Sequence, residues 1–144
     1  MTSTIRQTNG DDHPEAARKH LTDAQVLAAQ GRHDGAGYLA GYVVECCLKT
    51  VMLLEKNDPP KIHILAKLST QALRLAAMSS AKTAKYAPFQ NAQHSIYDPE
   101  SGWRETLRYR EQGFISAETA QIWIVEANFV FQKTVACMRL DGVI

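Results

Sequence analysis

A chain of 144 residues, 45% hydrophobic and 22% charged, can bury the core of one domain. It is too short for a full TIM barrel or a two-domain dehydrogenase, and too apolar for a disordered tail. Sixteen basic against fifteen acidic residues leave a formal charge of +1. That excludes a strongly basic nucleic-acid coat and an acidic solvating segment, while permitting a small basic site.

Residues 1–13 carry polar side chains and no apolar signal core, which predicts a flexible N-terminal arm and a cytoplasmic protein. A single domain is expected over 14–142. Pro14 suits a first helical position, with Asp12 or His13 as cap. Ala17, Leu21, Ala24 and Ala28 recur at helical spacing until Gly31, predicting a helix over 14–30. Asp34 is the expected N-cap of a second helix reaching Lys56, stopped by Asn57, Asp58, Pro59 and Pro60. Its apolar residues cover most of the circumference, so it needs neighbours on several sides. Gly37 and Gly41 lower helix propensity, and a close packing contact would explain them. The stretch 37–54 has the length of a membrane span, but Glu45 and Lys49 near its middle favour a buried helix over a membrane segment.

A third helix is predicted over 62–77, and the pattern fails from Pro88 to Trp103. So long an irregular segment is a candidate lid or rim. Ser116 can cap a last helix running to Leu140, which is again apolar on more than one face. No alternating run calls for a sheet. The expected fold is all-α, a four- or five-helix up-and-down bundle. Two broadly apolar helices favour a homodimer, since two-fold pairs are the commonest oligomers.

Cys46, Cys47 and Cys137 lie in apolar helical runs, and adjacent cysteines on a helix diverge by about 100°. They read as buried small hydrophobes in a reducing compartment. No zinc-binding, thioredoxin-type, dinucleotide or phosphate-loop motif is present, so neither metal nor cofactor is expected.

Two clusters can carry chemistry. Glu45 and Lys49 stand four residues apart on the apolar helix, and Tyr38 and Tyr42 extend the same ridge. A buried Glu45 demands a partner, which Lys49, a distant arginine or His63 could supply. The pair is a packing ion pair of the bundle, part of a ligand or catalytic site, or simply exposed at the surface. The second cluster is Trp103, Arg104, Arg108, Tyr109 and Arg110. Guanidiniums fork onto phosphates and aromatic rings stack on bases. The bland alternative is a solvated face or arginines paired to buried acids. His63, placed at the start of the third helix, and His94, in the long irregular segment, are the two acid–base candidates.

The run Gly31 to Lys49, with its string Ala40-Gly41-Tyr42-Val43-Val44-Glu45-Cys46-Cys47-Leu48-Lys49, resembles a characteristic segment of HEPN-domain proteins. An Ala-rich helix precedes it. His63 with Leu65 and Leu68, Trp103, the Arg108-Tyr109-Arg110 string and an apolar last helix follow in order. The resemblance covers about residues 14–142. It implies a helical bundle, commonly dimeric, that handles nucleotides or RNA, sometimes beside a nucleotidyltransferase-type protein partner. Some members are metal-independent RNases of toxin–antitoxin or defence systems, with an arginine, a polar residue immediately after it and a histidine a few positions beyond that. Here only Arg6 and His13 approach that spacing, inside the predicted arm. The leading expectation is a noncatalytic module binding a nucleotide, RNA or a nucleotidyltransferase-type partner. Glu45, Lys49, Trp103, Arg108, Tyr109 and Arg110 would be its ligand residues. The alternatives are an RNase using His63 or His94, and a dimeric scaffold.

Overall fold

Helix α1 (His13–Ala29) begins where the sequence places it. The Asp12 carboxylate accepts the Glu15 N–H at 3.4 Å, and Pro14 lies in the first turn. Ala17, Leu21 and Ala24 form its buried stripe. Gly31, at a φ of 74°, takes a conformation that side chains resist, and the chain turns over residues 30–32. The computed structural model describes residues 1–56, 58–91 and 93–144. Asn57, one of the residues expected to stop the second helix, lies outside them.

Helix α2 (His33–Leu54) is the hub and packs against α1, α3 (Leu65–Ala76) and α4 (Ala117–Phe131). Val43, Val44, Leu48 and Val51 are fully buried on it, at about 1.5–3 kcal/mol each. By length and hydropathy α2 could cross a membrane, yet 72% of its most apolar window is buried inside the bundle. That apolar surface is therefore already used by neighbouring helices.

Asp34 does not cap α2 from outside. Arg32 holds the N-cap position, and Asp34 sits within the first turn. Its carboxylate accepts the N–H groups of Gly113 at 2.8 Å and Ile115 at 2.9 Å. Those amides precede α4 and lack a helical acceptor, so Asp34 ties that segment to the start of α2. Helix α3 starts at Leu65, three residues later than expected. Ile64 is still extended, and the His63 side chain is held by α2 instead.

Ser116 caps α4, its hydroxyl accepting the Thr119 N–H at 3.0 Å. The helix continues through a π turn (Gln132–Ala136) into α5 (Cys137–Leu140). Val130, Thr134, Val135 and Met138 are all fully buried across that turn. Arg139 emerges against Glu15 of α1, where it donates to the carboxylate.

Segment 88–103 is pinned at several points. Phe89 and Ile96 are fully buried within it. The Glu126 carboxylate of α4 accepts the Ser95 N–H at 2.7 Å, the Ser95 hydroxyl at 3.0 Å and the Ile96 N–H at 2.8 Å. These bonds hold the segment to α4. Residues 1–12 fold back over the start of α1, with the Ser3 N–H donating to Asp12 at 2.8 Å. The architecture is an all-α bundle of four main helices, with no strand among the described residues.

Candidate functional site

Helical spacing sets Tyr38, Tyr42, Glu45 and Lys49 along one ridge of α2. Glu45 and Lys49 are 4% and 7% exposed, and their charged atoms meet at 2.7 Å. The Nδ1 of His63 reaches both Glu45 oxygens, at 3.0 and 2.9 Å. Lys49 and His63 together are thus the partners Glu45 requires, and among the described residues no arginine serves it. The side chain of His63 is 42% exposed. Nδ1 is thus engaged by the carboxylate, and Nε2 is the remaining ring nitrogen.

The ridge continues through aromatic rings. The Tyr38 hydroxyl donates to that of Tyr42 at 3.1 Å. Burial, then the bond from Tyr38, pushes the Tyr42 phenol well above its ordinary pKa. Its ring stands edge-on to Trp103 at 5.0 Å and to His63 at 6.2 Å. Trp103 is 5% exposed, seated where a Cβ on Gly41 would overlap its indole. Its Nε1–H donates to the Tyr38 carbonyl at 2.8 Å. The expected stacking role for Trp103 gives way to an anchoring one, because its faces are covered. Gly41 thereby gains the packing reason its presence in a helix demanded.

Helix α1 adds two histidines near the ridge, His13, which was expected in the arm and is instead the first residue of α1, and His20. His13 is held below its ordinary pKa by burial and then by the Lys49 charge. His20 is lowered by burial and then by Lys19, and lies 5.9 Å from the Tyr42 ring. No group of three or more metal-ligating side chains occurs among the described residues.

The arginine segment lies on the outside. Residues Glu105–Tyr109 form a 3-10 turn, and Arg104, Arg108 and Arg110 are exposed. Arg108 donates to the Tyr38 hydroxyl at 3.4 Å and lies 4.9 Å over the Tyr109 ring, which is 74% exposed. Arg110 covers Phe114 at 5.1 Å. Among the described residues, no carboxylate forms an ion pair with any of the three guanidiniums. A groove of about 320 Å³ joins the two clusters, lined by His63, Ile64, Tyr97, Trp103, Arg104 and Thr106 among others. Arg108, Tyr109 and Lys49 stand outside that groove.

His94 belongs elsewhere. Its ring stacks on Tyr97 at 6.3 Å and meets Phe129 edge-on at 5.1 Å, and burial lowers its pKa. The structure does not bring it to Glu45 and Lys49. Cys46 and Cys47 are buried, and desolvation pushes the Cys47 thiol up to about 12, which suits packing rather than reactivity. Sequence reasoning missed Glu126, the other buried acid. Its signal was the same as that of Glu45, a lone carboxylate inside an apolar helical run.

The family model described as HEPN domain matches residues 11–136, most of the chain. No curated protein matches it, and no solved structure does. The helical bundle and this match agree with the segment that carried the resemblance: the chain belongs to the HEPN-domain family.

Proposed function

We propose that this chain is a noncatalytic HEPN module that binds a nucleotide or an RNA segment where Arg108 and Tyr109 meet the α2 ridge. The Arg108 guanidinium carries this reading. It is exposed, pairs with no carboxylate among the described residues, and is steadied by the Tyr38 hydroxyl. A phosphate satisfies such a fork of donors, and the open Tyr109 face accepts a base. Buried Glu45 and Lys49 shape the floor and do not touch the ligand. Fluorescence anisotropy with a labelled single-stranded RNA tests the site. Arg108→Ala should weaken binding about tenfold, the loss of one charge-assisted contact. Affinity unchanged in both Arg108→Ala and Tyr109→Ala rejects the site. RNA cleavage by the purified chain, with EDTA present, rejects the noncatalytic part.

One observation favours a second reading, a metal-independent RNase. Glu45 orients His63 through Nδ1 and leaves Nε2 at a groove, as a general base requires. Cleavage abolished by His63→Gln in a folded protein would select it. For partners, we infer a second copy of the chain. Val125 of α4 is 59% exposed and lines a furrow of about 430 Å³ with Ala28, Ala29 and Ile124. Sedimentation should give a dimer that Val125→Lys dissociates. A nucleotidyltransferase-type protein is the alternative occupant, selected if the chain alone sediments as a monomer.

A further inference from the structure

Arg110, grouped by sequence with Arg108, faces different cavities. It lines a cavity of about 340 Å³ together with Arg32, His33, Asp34 and Gln112, between the α1–α2 turn and the segment before α4. It also lines a neighbouring cavity of about 400 Å³ that contains Arg104. Arg104 in turn lines the groove at His63. Adjacent cavities therefore share a guanidinium, first Arg104 and then Arg110.

The outer cavity brings two fixed positive charges to its walls. Among the described residues neither Arg32 nor Arg110 pairs with a carboxylate. Asp34, the acid in the cavity, has both oxygens occupied by the Gly113 and Ile115 amides. Asp34 offsets one of the two guanidinium charges without pairing with either, which leaves the cavity lining with an excess of positive charge that attracts an anion. An oxyanion with several acceptor oxygens fits, because each guanidinium offers a planar fork of donors.

We propose that this cavity is a second phosphate subsite, with Arg32 and Arg110 as its ligands. The inference rests on the nucleotide or RNA reading above and extends it. A ligand that fills both this subsite and the Arg108–Tyr109 edge carries more than one phosphate, so a short oligonucleotide suits the face better than a mononucleotide.

Two measurements on the full chain separate the subsite from the reading beneath it. In the first, inorganic pyrophosphate is titrated into ¹⁵N-labelled protein. The amides of residues 31–35 and 110–112 should shift, and Arg32→Gln should weaken that response about tenfold. In the second, labelled RNAs of two and eight nucleotides are compared by anisotropy. Arg32→Gln should weaken the longer RNA and leave the dinucleotide unchanged, whereas Arg108→Ala weakens both. No shift at 31–35 and 110–112 overturns the subsite. So does equal loss of both RNAs in Arg32→Gln. Pyrophosphate shifts without RNA binding support the phosphate subsite and overturn the RNA reading. Arg110→Gln gives an independent check if Arg32→Gln perturbs the start of α2, and circular dichroism confirms that each variant is folded.

Discussion

The Glu45–Lys49–His63 cluster and the arginine segment 104–110 contain the same kinds of group, with opposite bookkeeping of partners. In the first, the Glu45 and Lys49 charges are taken from water and answered at 2.7 Å by each other, with the half-exposed His63 reaching Glu45 at 2.9 to 3.0 Å. In the second, three guanidiniums stay in water; Arg108 and Arg110 lean on a phenol or an aromatic ring, Arg104 donates to the Glu100 carbonyl, and among the described residues no acid is paired to them. A buried charge cannot wait for a ligand, because leaving it unpaired costs several kcal/mol. An exposed one can, because water serves it meanwhile. The first cluster thus serves the fold, and the second is left free for the ligand proposed above.

The contrast breaks most visibly at Glu45. Glu45→Gln leaves the Lys49 ammonium buried beside a neutral amide, and should destabilise by about 3–5 kcal/mol. On a chain of this size that lowers the melting temperature by roughly 10 °C. Calorimetry checks it, and a loss under 1 kcal/mol means that the pair is not sealed. The double change Glu45→Leu with Lys49→Met should recover most of the loss, since it removes both charges at once.

Next in size is the join between the clusters. Gly41→Ala places a methyl group inside the Trp103 indole, and overpacking of this kind costs about 1–3 kcal/mol. Tryptophan emission should move to the red as Trp103 is pushed toward water. Unchanged emission and stability would mean that the segment from Trp103 onward is not anchored there.

Glu126→Gln sharpens the same comparison at another buried acid. The carboxylate accepts three hydrogen bonds from Ser95 and Ile96, and an amide cannot accept all of them. A loss of about 1–2 kcal/mol is expected, with faster hydrogen exchange at the Ser95 and Ile96 amides. Exchange that stays slow would detach Glu126 from the pinning of segment 88–103.

The smallest effect is in pH. Burial holds His13 and His20 below the ordinary histidine value of 6.5, so the unfolded chain takes up protons more readily than the folded one. Their stabilising effect is complete above 6.5 and declines as pH falls below it toward their folded values. Urea denaturation at pH 7.5 and 5.5 should show this decline, and the double variant His13→Gln, His20→Gln should reduce it. An equal decline in the variant assigns it to other groups.

Helix α2 was legible because its pattern and its function in packing coincide. Its apolar surround, the Glu45–Lys49 spacing and the paired glycines all announce a central element. The cap at Ser116 was equally plain. What the sequence could not carry was the fate of polar groups whose partners lie far along the chain. Asp34 looked like a cap because local spacing makes it one. The Gly113 and Ile115 amides that claim it are some eighty residues away. Trp103 looked like a stacking platform because it adjoins arginines, yet the notch that covers it belongs to Gly41. Arg108 and Arg110 looked like one patch, but at the end of the turn at 105–109 they part: Arg108 reaches the Tyr38 hydroxyl, while Arg110 lines the cavities toward Arg32 and Arg104.

The indole of Trp103 is bonded to the backbone of α2 and walled in by Tyr38 and Tyr42. It begins the segment that carries Arg104, Arg108 and Arg110. The ligand proposed for those guanidiniums would therefore meet a surface whose attachment point is already held. Less conformational freedom would remain to be lost on binding, and more of the contact energy would survive as affinity. One buried ring would thus preorganise the face proposed to bind.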